Sequence, residues 1–149
     1  MLAYARLWDK NTLKQLLEEF ILFNKFLGIR VREFFEDGIA LELPFRDEFI
    51  GDPIRPALHG GVMSTLADVV GGIAVWSKLE DAHARVSTID MRIDYLRPGK
   101  LETVCAEGRV VRLGNRVGVT DMRLYHPSEP AQTIATGKGV YNITVRKSR

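Results

Sequence analysis

Ala57-Leu58-His59-Gly60-Gly61-Val62-Met63-Ser64-Thr65-Leu66-Ala67-Asp68-Val69-Val70-Gly71-Gly72-Ile73-Ala74-Val75-Trp76-Ser77 is the stretch around which the chain is organised. It reads as one long helix. At about 100° per residue, Val62, Met63, Leu66, Val69, Val70, Ile73, Ala74 and Trp76 share one apolar arc, wider than a surface helix needs, so the helix is expected to be buried. The opposite arc collects Gly61, Ser64, Thr65, Asp68, Gly71, Gly72 and Val75. The one carboxylate of the segment thus stands among residues with almost no side chain. Each interior glycine costs a helix about 1 kcal/mol relative to alanine, so something is expected to pack closely on that face. Asp68 is then either a carboxylate in a tight site or a solvated side chain beside glycines.

His59-Gly60-Gly61 opens the helix, and Pro56 stops any helix from running in from upstream. First-turn N–H groups have no partner within a helix and carry partial positive charge, and glycines leave them open to an oxygen that gains charge in a reaction. Gly60 and Asp68 are eight residues apart, roughly 12 Å along one helix, too far to act on one carbonyl carbon. Two copies of the helix, antiparallel across a two-fold axis, would bring the start of one beside the middle of the other. A homodimer with two composite sites is therefore expected.

The chain has 149 residues, and one domain is expected, 1–27 forming an N-terminal helical segment and 28–145 the core. Lys and Arg number 21 against 19 Asp and Glu, a net charge of +2 that gives no argument for nucleic acid. The basic ending Arg146-Lys147-Ser148-Arg149 reads as a solvated tail. The lone Cys105 excludes an intramolecular disulfide and any cysteine-based metal cluster, which fits a reducing compartment. Neither a membrane-spanning apolar run nor a signal-peptide pattern is present, so a cytoplasmic location is expected.

Leu13, Leu16, Leu17, Phe20, Phe23 and Leu27 recur at three and four, predicting a helix from Asn11 or Thr12 to Leu27, ended by Gly28 and covering one edge of the core or serving as a lid over a pocket. Ile29 to Phe35 and Ile39 to Phe45 read as a hairpin turned at Asp37-Gly38, and Arg46 to Pro56 as a loop. After the long helix, Lys78 to Arg85 is a polar connection. Val86 to Leu96 alternates, with Ile89, Met91, Ile93 and Tyr95 on one face and Thr88, Asp90, Arg92 and Asp94 on the other. Strands Leu101 to Leu113, Arg116 to His126 and Ala131 to Val145 follow across short turns. Gly137 and Gly139 share one face of the last strand, leaving room for the helix or marking a bulge. The simplest packing is α+β: about six antiparallel strands curved around the long helix, with an additional N-terminal helix.

Leu58-His59-Gly60-Gly61, the carboxylate nine residues after the histidine, and the run Thr88-Ile89-Asp90-Met91-Arg92-Ile93-Asp94-Tyr95-Leu96-Arg97-Pro98 resemble the hotdog-fold acyl-CoA thioesterases of the phenylacetate-pathway and 4-hydroxybenzoyl-CoA type, over about residues 28 to 145. The resemblance implies hydrolysis of an acyl-CoA by a homodimer or dimer of dimers, a homotetramer. The only cofactor moiety is coenzyme A within the substrate. It implies that the N–H of Gly60, with Gly61, polarises the thioester carbonyl, and that Asp68 of the neighbouring subunit is general base or nucleophile. Thr88 matches a hydroxyl that positions water in relatives. Arg97, Asn115 and Arg116 match turns that bind coenzyme A phosphates, a task suited to guanidinium groups.

Other roles stay open. His59 is a general base or, more in keeping with the family, a residue that fixes the loop. Asp52 stands where relatives carry Asn or Gln against the thioester; it is a second acid or a turn residue. Gly72 stands where some relatives carry a hydroxyl. His59, His83 and His126 are scattered, and no metal-ligand spacing occurs. A hotdog module that binds acyl-CoA without hydrolysis is the alternative of another class. A hydratase or dehydratase of acyl thioesters is disfavoured, because Ile73 stands where a histidine would be needed.

Overall fold

The computed structural model describes residues 9–81 and 83–145; the basic ending and the first eight residues lie outside them. Among the described residues eight strands form, β1 (Arg30–Phe34), β2 (Gly38–Leu43), β3 (Ile50–Asp52), β4 (Ala57–Leu58), β5 (Arg85–Tyr95), β6 (Val104–Leu113), β7 (Val117–Tyr125) and β8 (Thr133–Thr144). Six of them make one antiparallel sheet in the order β1-β2-β6-β7-β8-β5, while β3 and β4 pair separately. Helix α3 (Gly60–Trp76) lies on the sheet, burying Met63, Leu66, Ala67, Val70, Ile73 and Ala74 in the main core with Leu41, Ala106 and Leu124. This is the hotdog arrangement, an α+β fold with a sheet about one long helix. The helix backbone approaches the sheet closely at Gly108, where an added Cβ would sit 2.5 Å from the Val70 carbonyl oxygen.

The long helix is shorter at its start than the sequence suggested. Ala57 and Leu58 pair with β3, and the Leu58 N–H donates to the Gly99 carbonyl at 2.9 Å, so their backbone is extended. His59 then caps the helix. The small-residue face is also corrected. Val75 is fully buried with Tyr141 and Ile143, and Gly71 and Gly72 lie against the Tyr141 side chain. Their missing side chains make room within the chain, where a partner helix was expected.

The N-terminal segment is not one continuous helix. It runs as α1 (Lys10–Gln15), a wide π turn over Leu16–Phe20, and α2 (Leu22–Leu27), closed by Gly28 at φ 82°. Ile21 donates its N–H to the Leu16 carbonyl five residues back, and its ψ of 97° breaks the helix. The wide turn shifts the phase of the apolar stripe. Leu13, Leu17, Asn24 and Leu27 therefore point inward, while Phe20 and Phe23, expected inside, are 66% and 57% exposed.

Strand β5 alternates as expected only in part. A bulge at Ile89, between Thr88 and Asp90, reverses the phase. Thr88 consequently faces α3 along with Met91 and Ile93, and Ile89 is turned out to 57% exposure. Gly137 and Gly139 are regularly paired in β8, so they are not a bulge. β5 is an edge strand of eleven residues, a length of free backbone donors and acceptors that invites a second strand.

Candidate active site

Asp68 sits midway along α3, half-buried, and two hydroxyl groups fix it. The Thr88 hydroxyl donates to its Oδ1 at 2.8 Å. The Tyr141 hydroxyl lies 3.1 Å from its backbone carbonyl and 3.4 Å from Oδ1, donating to both. Among the described residues no hydrogen bond reaches Oδ2, which leaves one carboxylate oxygen for another partner. Burial first, and then the negative charge of Asp68, push the Tyr141 phenol well above its usual range. It stays protonated and can only donate to the carboxylate.

Tyr141 was not read from the sequence as a site residue. Its ring fits because glycines stand on both sides of it. An added Cβ would lie 2.4 Å from the ring at Gly139, on its own strand, and 2.3 Å from the hydroxyl at Gly71, on the helix. The available signal was Gly139-Val140-Tyr141, in which the aromatic and the glycine share a strand face, set against Gly71-Gly72 on the helix.

A cleft of about 410 Å³ opens beside Asp68 and Thr88, bounded by α3, β5 and the break at Ile21. At the start of α3, His59 Nδ1 accepts the N–H of Gly61 at 2.8 Å. His59 is thus the N-cap, and the Gly61 N–H, expected to assist the carbonyl, is engaged. The N–H of Gly60 meets no acceptor among the described residues. Tyr95 donates its hydroxyl to the Gly60 carbonyl at 2.9 Å, and a second cleft of about 300 Å³, lined by Leu58, Gly60, Tyr95 and Arg97, lies in front of it.

Asp52 closes a turn: its Oδ1 accepts the N–H groups of Ile54 and Arg55 at 2.9 and 3.0 Å. Those bonds, led by that of Arg55, hold its carboxyl below the usual range. His126 is buried and pinned, Nε2 accepting from the Lys100 N–H and Nδ1 donating to the Thr103 carbonyl, both at 2.9 Å. Arg97, Asn115 and Arg116 are exposed but not together. Arg97 is tied to β8 at Ile134 and Arg116 at Ile143. Nine strand residues, roughly 30 Å, separate those ties. Within one chain Gly60 lies near Arg97 and Asp68 nearer the Arg116 end. No group of three or more His, Cys, Asp or Glu that could hold a metal is found among the described residues, and no helix there is long and apolar enough to cross a membrane.

Residues 56–131 match the thioesterase superfamily. The medium/long-chain acyl-CoA thioesterase YigI of Escherichia coli K12 is 29% identical over 154 residues, spanning 93% of this chain and 98% of the relative. YigI of Salmonella typhimurium is 30% identical over 156 residues with the same spans, 93% and 98%. A solved structure from Shewanella oneidensis, described as related to the thioesterase superfamily, superposes with a TM-score of 0.80 at 32% identity, covering 90% of this chain and 94% of that one. With the hotdog sheet, the helix opened by His59-Gly60-Gly61 and the half-buried Asp68 already in view, the match over 56–131 identifies the chain as a member of the thioesterase superfamily, a thioester hydrolase.

Proposed function

We propose that the protein hydrolyses acyl-CoA thioesters at sites shared between two chains. One observation carries the reading: an open N–H at Gly60 and an open carboxylate oxygen at Asp68 face separate clefts of the same helix, eight residues apart. A two-fold axis near Ser64 would bring Gly60 of one chain level with Asp68 of the other. The same axis would bring Arg97 level with Arg116 of the partner subunit, two cations beside one cleft, where with Asn115 they would hold the coenzyme phosphates. The free edge of β5 supports such an axis, since its antiparallel pairing with a copy of itself continues the sheet.

In this site Asp68 Oδ2 takes a proton from water while the water oxygen bonds to the thioester carbon. The Thr88 hydroxyl, donating to Oδ1, offers its lone pairs to that water. The carbonyl π electrons move onto oxygen, where the Gly60 N–H stabilises the charge. Collapse breaks the carbon–sulfur bond, and the thiolate leaves with the proton. Supporting the substrate class is the naming of the YigI relatives as acyl-CoA thioesterases. The cytoplasm is the expected place of action.

The test is thiol release from a panel of acyl-CoAs by the native protein and by Asp68→Asn. Loss of about two to four orders of magnitude in kcat is expected, with the fold intact. Near-native turnover by a folded Asp68→Asn would reject the carboxylate, and tight binding without thiol release from any acyl-CoA would reject hydrolysis.

A further inference from the structure

The cleft beside Asp68 is a trough with a direction. On the helix its wall is Asp68, Val69, Gly72, Ile73 and Trp76; on β5 and the residue before it the wall runs from Thr88 through Val86 to Ala84. Asp68 to Trp76 is eight helical residues, roughly 12 Å. Thr88 to Ala84 is four extended residues, roughly 13 Å. The two walls are therefore about equal in length, with the reactive groups at one end and an indole at the other. Ile21, at the break between the wide turn and α2, forms the roof.

Beyond Asp68 and Thr88 the lining is mostly apolar, the exposed Arg85 being its one cation, and the neutral polar groups nearby are committed within the protein. Asn24 donates its amide to the Leu17 carbonyl at 3.2 Å, and Tyr141 donates to Asp68. The other apolar cleft, about 420 Å³ under Phe23 and Phe26, is bordered by Arg46, Glu48 and His59 and reaches the helix at Gly61, whose N–H is engaged.

We infer that the trough seats a linear saturated acyl chain and that Trp76 closes its far end, so that the protein measures acyl length to about ten carbons. The inference rests on the assignment of Asp68 as the hydrolytic carboxylate. An extended chain advances about 1.2 Å per bond, a third of the reach of one three-bond peptide residue, so 12 Å takes about ten bonds. Burying one methylene contributes about 0.8 kcal/mol, or about fourfold, when it is fully enclosed, and about twofold in a half-open trough.

The experiment uses the full chain and saturated acyl-CoAs from butyryl to hexadecanoyl, with thiol release as readout. kcat/KM should climb about two- to fourfold per methylene to about ten carbons and then level. Trp76→Ala should raise the tetradecanoyl-to-octanoyl ratio of kcat/KM about sixteenfold or more, because four further methylenes gain a place at about twofold or more each. Val86→Phe, which fills the middle of the trough, should move the plateau to shorter chains and serves if Trp76→Ala does not fold. A binding measurement stands apart from turnover. The sequence has two tryptophans, so Trp8→Phe leaves Trp76 as the sole indole, and decanoate should shift its emission to the blue. A plateau unmoved by either variant, or no emission change with decanoate, overturns the inference. Absence of thiol release from every acyl-CoA overturns the hydrolase reading instead, and the emission shift still decides the trough.

Discussion

Gly71→Ala should reverse its usual sign in this protein. In an ordinary helix interior the change gains about 1 kcal/mol. Here the new methyl would lie 2.3 Å from the Tyr141 hydroxyl oxygen, 2.9 Å from Thr120 Oγ1 and 3.0 Å from Tyr141 Cζ. Overpacking of this kind costs about 1–3 kcal/mol. It outweighs the helix term and drives the phenol off Asp68, so a net loss of up to about 2 kcal/mol and a fall in kcat are expected. Tyr141→Phe removes the closest atom and by itself costs about 1 kcal/mol of hydrogen bonding. In that background Gly71→Ala should be near neutral, giving a coupling of about 1 kcal/mol or more between the two positions. Urea unfolding at one fixed protomer concentration measures all four proteins, because stability of an oligomer depends on concentration. Stabilisation of the native background by Gly71→Ala, or strict additivity, would refute the account of the glycine face.

His59→Asn should retain most of the turnover, since Asn is a strong N-cap and can accept the Gly61 N–H, whereas His59→Ala should lose stability by about 1 kcal/mol; a collapse of kcat in a well-folded His59→Asn would make the imidazole a chemical participant. Arg97→Ala and Arg116→Ala should each raise KM for acyl-CoA more than they lower kcat, read from initial rates at low salt; an unchanged KM in the double variant would assign both to solvent. Asp52 has its carboxyl held below its ordinary value of 3.8, so its contribution to stability is present above that value and withdrawn as pH falls through the lowered one. Asp52→Asn keeps the turn without titrating and should flatten acid unfolding below about pH 4; an unchanged acid limb would place the acid sensitivity elsewhere.

The long helix, the β1–β2 hairpin and the succession of strands along the chain were legible in the sequence, because each rests on local period or on short spacing. What escaped it depended on a single inserted residue or on contacts far apart in the chain. The π turn before Ile21 turned Phe20 and Phe23 outward, and the bulge at Ile89 turned Thr88 inward; a strict period of 3.6 or 2 anticipates neither. Tyr141 reaches Asp68 across 73 residues, and the glycines that accommodate it looked like a surface for a second helix. The β3–β4 pairing was hidden because Ala57 and Leu58 suit a helix until the cap at His59 is recognised.

The shared site is tested most directly by mixing two inactive chains. Gly60→Pro deletes the open N–H at the first helical position, where proline is favoured, and His59, with ψ 129°, already has the backbone that proline requires of its predecessor. Alone it should lose about two to three orders of magnitude in kcat, as should Asp68→Asn. In a mixed dimer one site carries both lesions and the other carries none. Equal amounts co-expressed should therefore recover about one quarter of native activity: half of the dimers are mixed, and half of their sites are intact. A mixture no more active than its two parents, with mixed dimers verified by mass, would put Gly60 and Asp68 in the same chain's site and contradict the account.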